Sequence, residues 1–144
     1  MKQKPINVAI IAVMVLLGIF LYYKFIQPGN ESAPAPGSST AARQIEAGKQ
    51  AGDSMWLLFR SANCPSCVEL KKIYDRIEPE YKGKVKFISI DVDDKENAQL
   101  AKDYGIAYVP TTFIIDGKGK LSYKEVGTIA EDDLRTELDK VVKP

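Results

Sequence analysis

The sequence predicts an α/β fold, a central mixed sheet covered by helices on both faces and preceded by one transmembrane helix, on three observations. From Arg43 onward, short apolar runs of strand character alternate with segments whose apolar residues recur at helical spacing. The last two strand-like runs flank Asp116-Gly117-Lys118-Gly119, a glycine-containing hairpin turn. Ahead of both, Ile6 to Tyr23 runs without a charge. Such a segment rises roughly 27 Å as a helix, and Phe25 and Ile26, beyond a snorkelling Lys24, extend it to about the thickness of a bilayer core.

Residues 1–26 are therefore expected to be an uncleaved signal anchor that meets the lipid bilayer through residues 6–26, with Tyr22 and Tyr23 at the interface. Lys2, Lys4 and the amino terminus outweigh Lys24, which keeps the amino end in the cytoplasm and places the rest of the chain outside it. A cleavable signal peptide is the alternative. Against it stand the length of the apolar run and the distance to the nearest A-x-A, Ala33 to Ala35, which Pro36 follows. No cysteine lies near the end of the run, which excludes a lipid-modified cysteine anchor of the lipoprotein type.

Residues 27–42, QPGNESAPAPGSSTAA, lack apolar periodicity and read as a flexible linker with a typical reach of roughly 20 to 25 Å. The domain spans 43–144. A helix is expected over Ala41 to Ala51, then a strand over Met55 to Arg60, too short for a buried helix. Leu70, Ile73, Tyr74, Ile77 and Tyr81 form one stripe of a helix from about Cys64 to Tyr81, with Pro79 kinking its last turn. Val85 to Asp91 is the next strand, and Lys95 to Tyr104 a third helix, ended by Gly105. Thr111 to Ile115 and Lys120 to Val126 form the hairpin. The final helix carries a capping-box signature, Thr128 with Glu131, and an apolar face of Leu134, Leu138, Val141 and Val142. Early alternation demands parallel strands joined by helical crossovers, and the hairpin adds an antiparallel edge.

Composition narrows the chemistry. At 144 residues there is room for one ordinary domain plus appendages. Twenty basic against nineteen acidic residues leave a net charge of +1, so no nucleic-acid partner is indicated. Histidine is absent and cysteine occurs twice, which excludes His-based zinc, haem and Ser-His-Asp chemistry and leaves too few thiolates for a four-ligand metal site within one chain. No cofactor is expected, and the chemistry falls to two sulfurs.

Those sulfurs lie three residues apart in Cys64-Pro65-Ser66-Cys67, directly after a strand and at the start of an amphipathic helix. Unsatisfied N–H groups and the positive end of the helix dipole favour an anion there, so the Cys64 thiolate is stabilised. A thiolate is the attacking species in disulfide exchange, and Cys67, one turn further on, reaches back to resolve a mixed disulfide. Pro65 suits the first helical position, and Ser66 places a hydroxyl near the sulfurs. Three blander readings compete: a structural disulfide, which closes too small a loop to restrain much of the unfolded chain; half of an intermolecular metal site; and a buried inert pair, at odds with the polar Asn63, Pro65 and Ser66. A second element is Val109-Pro110, just before the strand Thr111 to Ile115. On the residues alone this reads as an ordinary trans proline at a strand start. A cis proline beside the dithiol would instead leave the Val109 backbone free to pair with an extended substrate.

The chain resembles the thioredoxin family. SANCPSCVELKK after a strand, YGIAYVPTTFIID, the DGKGKL hairpin and VGTIAEDDLRTEL match that family's active-site turn, cis-proline strand, terminal hairpin and last helix, in order, across essentially all of Arg43 to Pro144. The resemblance implies the thioredoxin fold, Cys64 as attacking and Cys67 as resolving thiol, Pro110 as the cis proline, and a substrate-facing surface of Pro65, Ser66, Val109, Pro110 and Gly127. VPTTFIIDGKGKL looks especially like the membrane-tethered thioredoxins that serve cytochrome c assembly, without that subgroup's central insertion. The chain departs from the family in several places. Asn63 stands where thioredoxins carry Trp, Pro65-Ser66 where they carry Gly-Pro, Leu58 where they carry the buried Asp, and Phe87 where they carry its Lys partner. Glu69, Asp91 or water are then the candidates for moving the Cys67 proton.

The expected activity is thiol-disulfide exchange with disulfide-containing proteins, in the reducing direction, by a domain tethered at the outer face of the cell membrane. Its electrons would come from a membrane dithiol carrier at high effective concentration. The rival expectation is a peptide-binding or chaperone-like module that uses the Val109 and Pro110 groove, with the dithiol idle.

Overall fold

The computed structural model describes residues 13–19 and 39–142. It divides into two units, 1–33 and 34–144. In the first, residues 13–19 are helical with exposed side chains. The rest of the span expected over 6–26, and the linker as far as residue 38, lie outside the described residues. Among the described residues no helix is long and apolar enough to cross a membrane.

The second unit runs α1 (Thr40–Ala51), β1 (Ser54–Arg60), α2 (Pro65–Ile77), a 3-10 turn (Glu78–Tyr81) and β2 (Val85–Asp91). A 3-10 turn (Lys95–Asn97) leads into α3 (Ala98–Asp103), followed by β3 (Thr111–Ile115), β4 (Leu121–Val126) and α4 (Glu131–Asp139). The strands form one mixed sheet in the order β2-β1-β3-β4. β1 pairs parallel with β2 from Ser54 against Val85 to Arg60 against Asp91, and antiparallel with β3 from Met55 against Ile115 to Phe59 against Thr111. The α2 crossover makes the first pairing parallel, and the tight turn after β3 makes β3 and β4 antiparallel.

Because side chains alternate along a strand, β1 is buried on both faces and feeds two cores. Trp56 and Leu58 pack with Leu70, Tyr74 and Ile77 of α2 and with Leu134 and Leu138 of α4. Met55, Leu57 and Phe59 pack on the other side with Ala41 and Ile45 of α1 and with Leu100 of α3. Gly48 in α1 lies so close to the sheet that a Cβ there would come within 2.5 Å of Met55 Sδ, which explains a glycine inside a helix.

Several expected boundaries shift. Ser39 caps α1, accepting a hydrogen bond from the Ala42 N–H at 3.1 Å, and Ala41 is buried, so the folded unit takes in Ser39 to Ala42 from the stretch read as linker. The helix expected to reach Tyr81 ends as α-helix at Ile77 and tightens into a 3-10 turn through Pro79, which cannot donate the next hydrogen bond. The helix expected over Lys95 to Tyr104 is likewise part 3-10 turn and part α3, with Tyr104 as its C-cap. No capping box forms at α4. Its N-cap is Ala130, so Glu131 is the first helical residue instead of the third, and its carboxylate binds Arg135 and Arg76 instead of reaching back toward Thr128.

Candidate active site

The C-terminal end of β1 delivers the chain through Ser61 to Asn63 into the first turn of α2. Cys64 is the N-cap of that helix: its backbone is extended, its carbonyl accepts the Val68 N–H at 3.1 Å, and its Sγ accepts the Cys67 N–H at 3.3 Å. The sulfur thus occupies the place that a Ser or Asp oxygen takes at an ordinary helix start, where it answers a backbone N–H that the helix leaves unpaired. Pro65 sits at the first helical position, where a missing N–H costs nothing. Ser66 Oγ lies 3.2 Å from Cys64 Sγ.

The two thiols are free and unequal. Cys64 is half-buried, and its thiol is held below the ordinary value by hydrogen bonds from Cys67 and Ser66, which favour the anion over a smaller opposing effect of burial. Cys67 is fully buried in the first turn of α2, and burial together with the adjacent Cys64 pushes it up to about 11, against a downward pull from the Ser61 amide and from Arg60. One sulfur is therefore biased toward the thiolate and the other toward the protonated thiol.

Opposite the pair, the Val109-Pro110 peptide bond is cis, the form that the resemblance implies and the residues alone did not favour. The Val109 carbonyl faces Cys64 Sγ at 3.8 Å. Thr111 Oγ1 donates to the Tyr108 carbonyl at 2.6 Å and ties the start of β3 to this loop. Gly127, after β4, donates its N–H to the Pro110 carbonyl at 2.8 Å with φ of 106°, a conformation that favours glycine. Hydrogen bonds and contacts therefore link Cys64, Ser66, Cys67, Val109, Pro110 and Gly127, from three separate parts of the chain, and Pro65 stands exposed in the same turn.

Around Cys67 the site differs from the family's usual pattern, as Leu58 and Phe87 foreshadow. Leu58 is fully buried in the core with Leu70, and Phe87 stacks edge-on with Trp56 and Tyr74. Glu69 is exposed and paired with Lys72, and Asp91 is paired with Arg60, so neither carboxylate hydrogen-bonds Cys67. Arg60, which sequence reading treated only as the end of a strand, lines a cavity of about 270 Å³ together with Cys67. Strand alternation is the signal that could have found it, because Trp56, Leu58 and Arg60 share the face that α2 covers.

The sequence pattern of the thioredoxin-like domain matches residues 41–142. Thioredoxin 1 of Nostoc sp. is 34% identical over 77 residues, which cover 54% of this chain and 69% of that protein. The thiol-disulfide oxidoreductase ResA of Bacillus cereus is 24% identical over 171 aligned positions, covering 98% of this chain and 99% of that one. Among solved structures, the thioredoxin NaTrxh of Nicotiana alata superposes with a TM-score of 0.62 at 24% identity, covering 73% of this chain and 89% of that one, a likeness of fold.

Proposed function

The chain belongs to the thioredoxin-like domain family, and on that premise we propose that it is an oxidoreductase that reduces disulfides of protein substrates through Cys64 and Cys67. The Cys64 thiolate attacks one sulfur of the substrate disulfide. The substrate S–S bond breaks, a mixed disulfide forms on Cys64, and the departing substrate thiolate takes a proton from solvent. Cys67 then gives up its proton and attacks Cys64 Sγ, which expels the second substrate thiolate. The substrate gains two electrons and two protons, and the protein is left with a Cys64–Cys67 disulfide that a donor dithiol must reopen. Val109, held at a cis bond beside Cys64, offers its backbone to an extended substrate segment, with Pro65, Ser66, Pro110 and Gly127 forming the rest of the contact surface.

The observation that carries this reading is the capping of α2 by Cys64 Sγ, which gives the sulfur an N–H donor and a hydroxyl while leaving it partly open to solvent. Cys64→Ser is expected to abolish reduction of insulin disulfides, and Cys67→Ser to accumulate mixed disulfides visible on non-reducing gels. Activity surviving in Cys64→Ser ends the reading. Undiminished client binding in a chain with both cysteines replaced would favour the chaperone-like rival.

The same proposal places the domain outside the cytoplasm on a membrane tether, supported by the uncharged run Ile6 to Tyr23 and the charge balance around it. The lipid bilayer and a membrane dithiol carrier are then its partners, and secreted proteins or those of cytochrome c maturation its clients. Extraction of the full chain from membranes by alkaline carbonate, or protection of residues after the span from external protease in intact cells, would refute the placement.

A further inference from the structure

Arg60 is the last residue of β1, and its side chain emerges under the first turn of α2, on the face that also carries Trp56 and Leu58. Two contacts fix it. Its Nε donates to Ser89 Oγ at 3.0 Å, and its Nη1 lies 3.5 Å from Asp91 Oδ2, both partners lying on the neighbouring strand β2. Fixed in this way, the guanidinium lines the cavity of about 270 Å³ whose wall also includes Cys67, Ser61, Lys71, Lys72 and Asp75.

The other charges facing that space are matched. Lys71 pairs with Asp75, and Lys72 with Glu69, each within α2. Asp91 also accepts the Asp93 N–H, and Asp93 accepts the Ser61 hydroxyl. From the cis-proline side the Val109 carbonyl faces the Cys64 sulfur, and the ionisable residue of that loop, Tyr108, is exposed. Toward the core, Leu58 puts a hydrocarbon where the family resemblance expects a carboxylate. Cys67 must nevertheless become an anion once in every turnover, and it must leave as an anion whenever the disulfide is reopened.

We propose that Arg60 is a positioning residue for the second half of the reaction: its anchored guanidinium holds a positive charge beside the Cys67 side of the dithiol and stabilises the Cys67 thiolate that resolves the mixed disulfide. The step itself is balanced. Cys67 loses its proton to solvent and forms the S–S bond with Cys64 Sγ, and the bond from Cys64 to the substrate sulfur breaks. The substrate thiolate that departs is protonated by solvent. Burial opposes the anion, and Arg60 acts with the Ser61 amide in the other direction. The proposal rests on the dithiol reading above for the reaction step but not for the ionisation that tests it.

The test uses the full chain, in detergent micelles, reduced and labelled with ¹³C at cysteine Cβ, so that the Cys67 ionisation is read directly by NMR in the wild type, Arg60→Gln and Arg60→Lys. Arg60→Gln is expected to move the Cys67 midpoint up by about half a pH unit, and Arg60→Lys to leave it near the wild type. A chain preloaded on Cys64 with a chromogenic thiol should then release it about twofold more slowly at pH 7 in Arg60→Gln. The loss of thiolate fraction is partly offset by the greater nucleophilicity of a more basic sulfur. A Cys67 midpoint unchanged in Arg60→Gln, whatever happens to its Tm, overturns the proposal, and so does an equal shift in Arg60→Lys. Should Arg60→Gln fail to fold, Ser89→Ala releases one anchor and is expected to shift the midpoint in the same direction by less; no shift there is equally fatal. A wild type that never reduces insulin would sink the functional reading and leave this titration intact.

Discussion

At the scale of single residues, the asymmetry of the two sulfurs follows from where one helix begins. Cys64 accepts hydrogen bonds because it precedes the first turn, whereas Cys67, three residues on, has its sulfur turned into the protein. Ser66→Ala removes the hydroxyl member of the hydrogen bonds from Cys67 and Ser66 that hold the Cys64 thiol down. Its ionisation should therefore rise toward the ordinary thiol value and its thiolate fraction at pH 7 should fall. Alkylation by iodoacetamide at pH 7 is expected to slow by about two- to threefold, with the rates converging above the raised midpoint, as a stopped-time series from pH 5 to 10 would show. An unchanged profile would mean that the hydroxyl does not reach the anion. This part of the site was legible in advance, because a C-x-x-C after a strand and before an amphipathic stripe already fixes which sulfur faces the helix start. The place of Arg60 was not, since a strand-end arginine is ordinary until α2 is known to cover its face.

At the scale of elements, α2 and α4 are tied together through the short 3-10 turn between α2 and β2. Tyr81 buries its ring there and donates its hydroxyl to Asp139 Oδ1 at 2.8 Å, and Arg135 of α4 forks onto both carboxylate oxygens of Glu80 at 2.7 and 2.8 Å. Burial and the Asp139 carboxylate push the Tyr81 phenol up to about 12, above the value of about 10 for an exposed phenol. A group whose folded value is raised stabilises the fold below its unfolded value. Stability should therefore fall between about pH 10 and pH 12, as the unfolded chain ionises and the folded one does not. Tyr81→Phe is expected to cost about 1 kcal/mol at pH 7 through the lost hydrogen bond and to flatten that alkaline decline, measured by urea unfolding at several pH values. A decline as steep as in the wild type would assign it to other groups. The periodicity of α2 was readable because its stripe is long. The start of α4 was misread because a Thr-x-x-Glu pattern states only a local preference, and the packing of α4 decided that Glu131 would turn to arginine instead.

At the scale of the whole molecule, β1 is the common wall of two cores, and the residues that position the dithiol hang from its end. Leu134 of α4 is fully buried in the core that also holds Trp56, Leu58 and, from α2, Leu70, Tyr74 and Ile77. Leu134→Ala is expected to cost about 2 to 5 kcal/mol, followed by the fluorescence of Trp56, the single tryptophan, in thermal or urea unfolding. Burial of Trp56 between two packed helices and the sheet should make that signal report the loss of the whole core. A cost below 1 kcal/mol would show that the site can collapse around the gap. The sequence by itself determined the alternation of elements, the mixed sheet and the pairing of two cysteines at a helix start. These depend on neighbours a few residues apart, and periodicity and spacing record such neighbours directly. Tertiary structure alone decided that the Val109 carbonyl faces Cys64, with Gly127 bonded to the neighbouring Pro110, that Cys67 is shut away, and that Arg60 shares its cavity. Each of these depends on which faces the sheet and helices bury against one another: alternation puts Arg60 on one face of β1, but only packing decides that α2 covers that face.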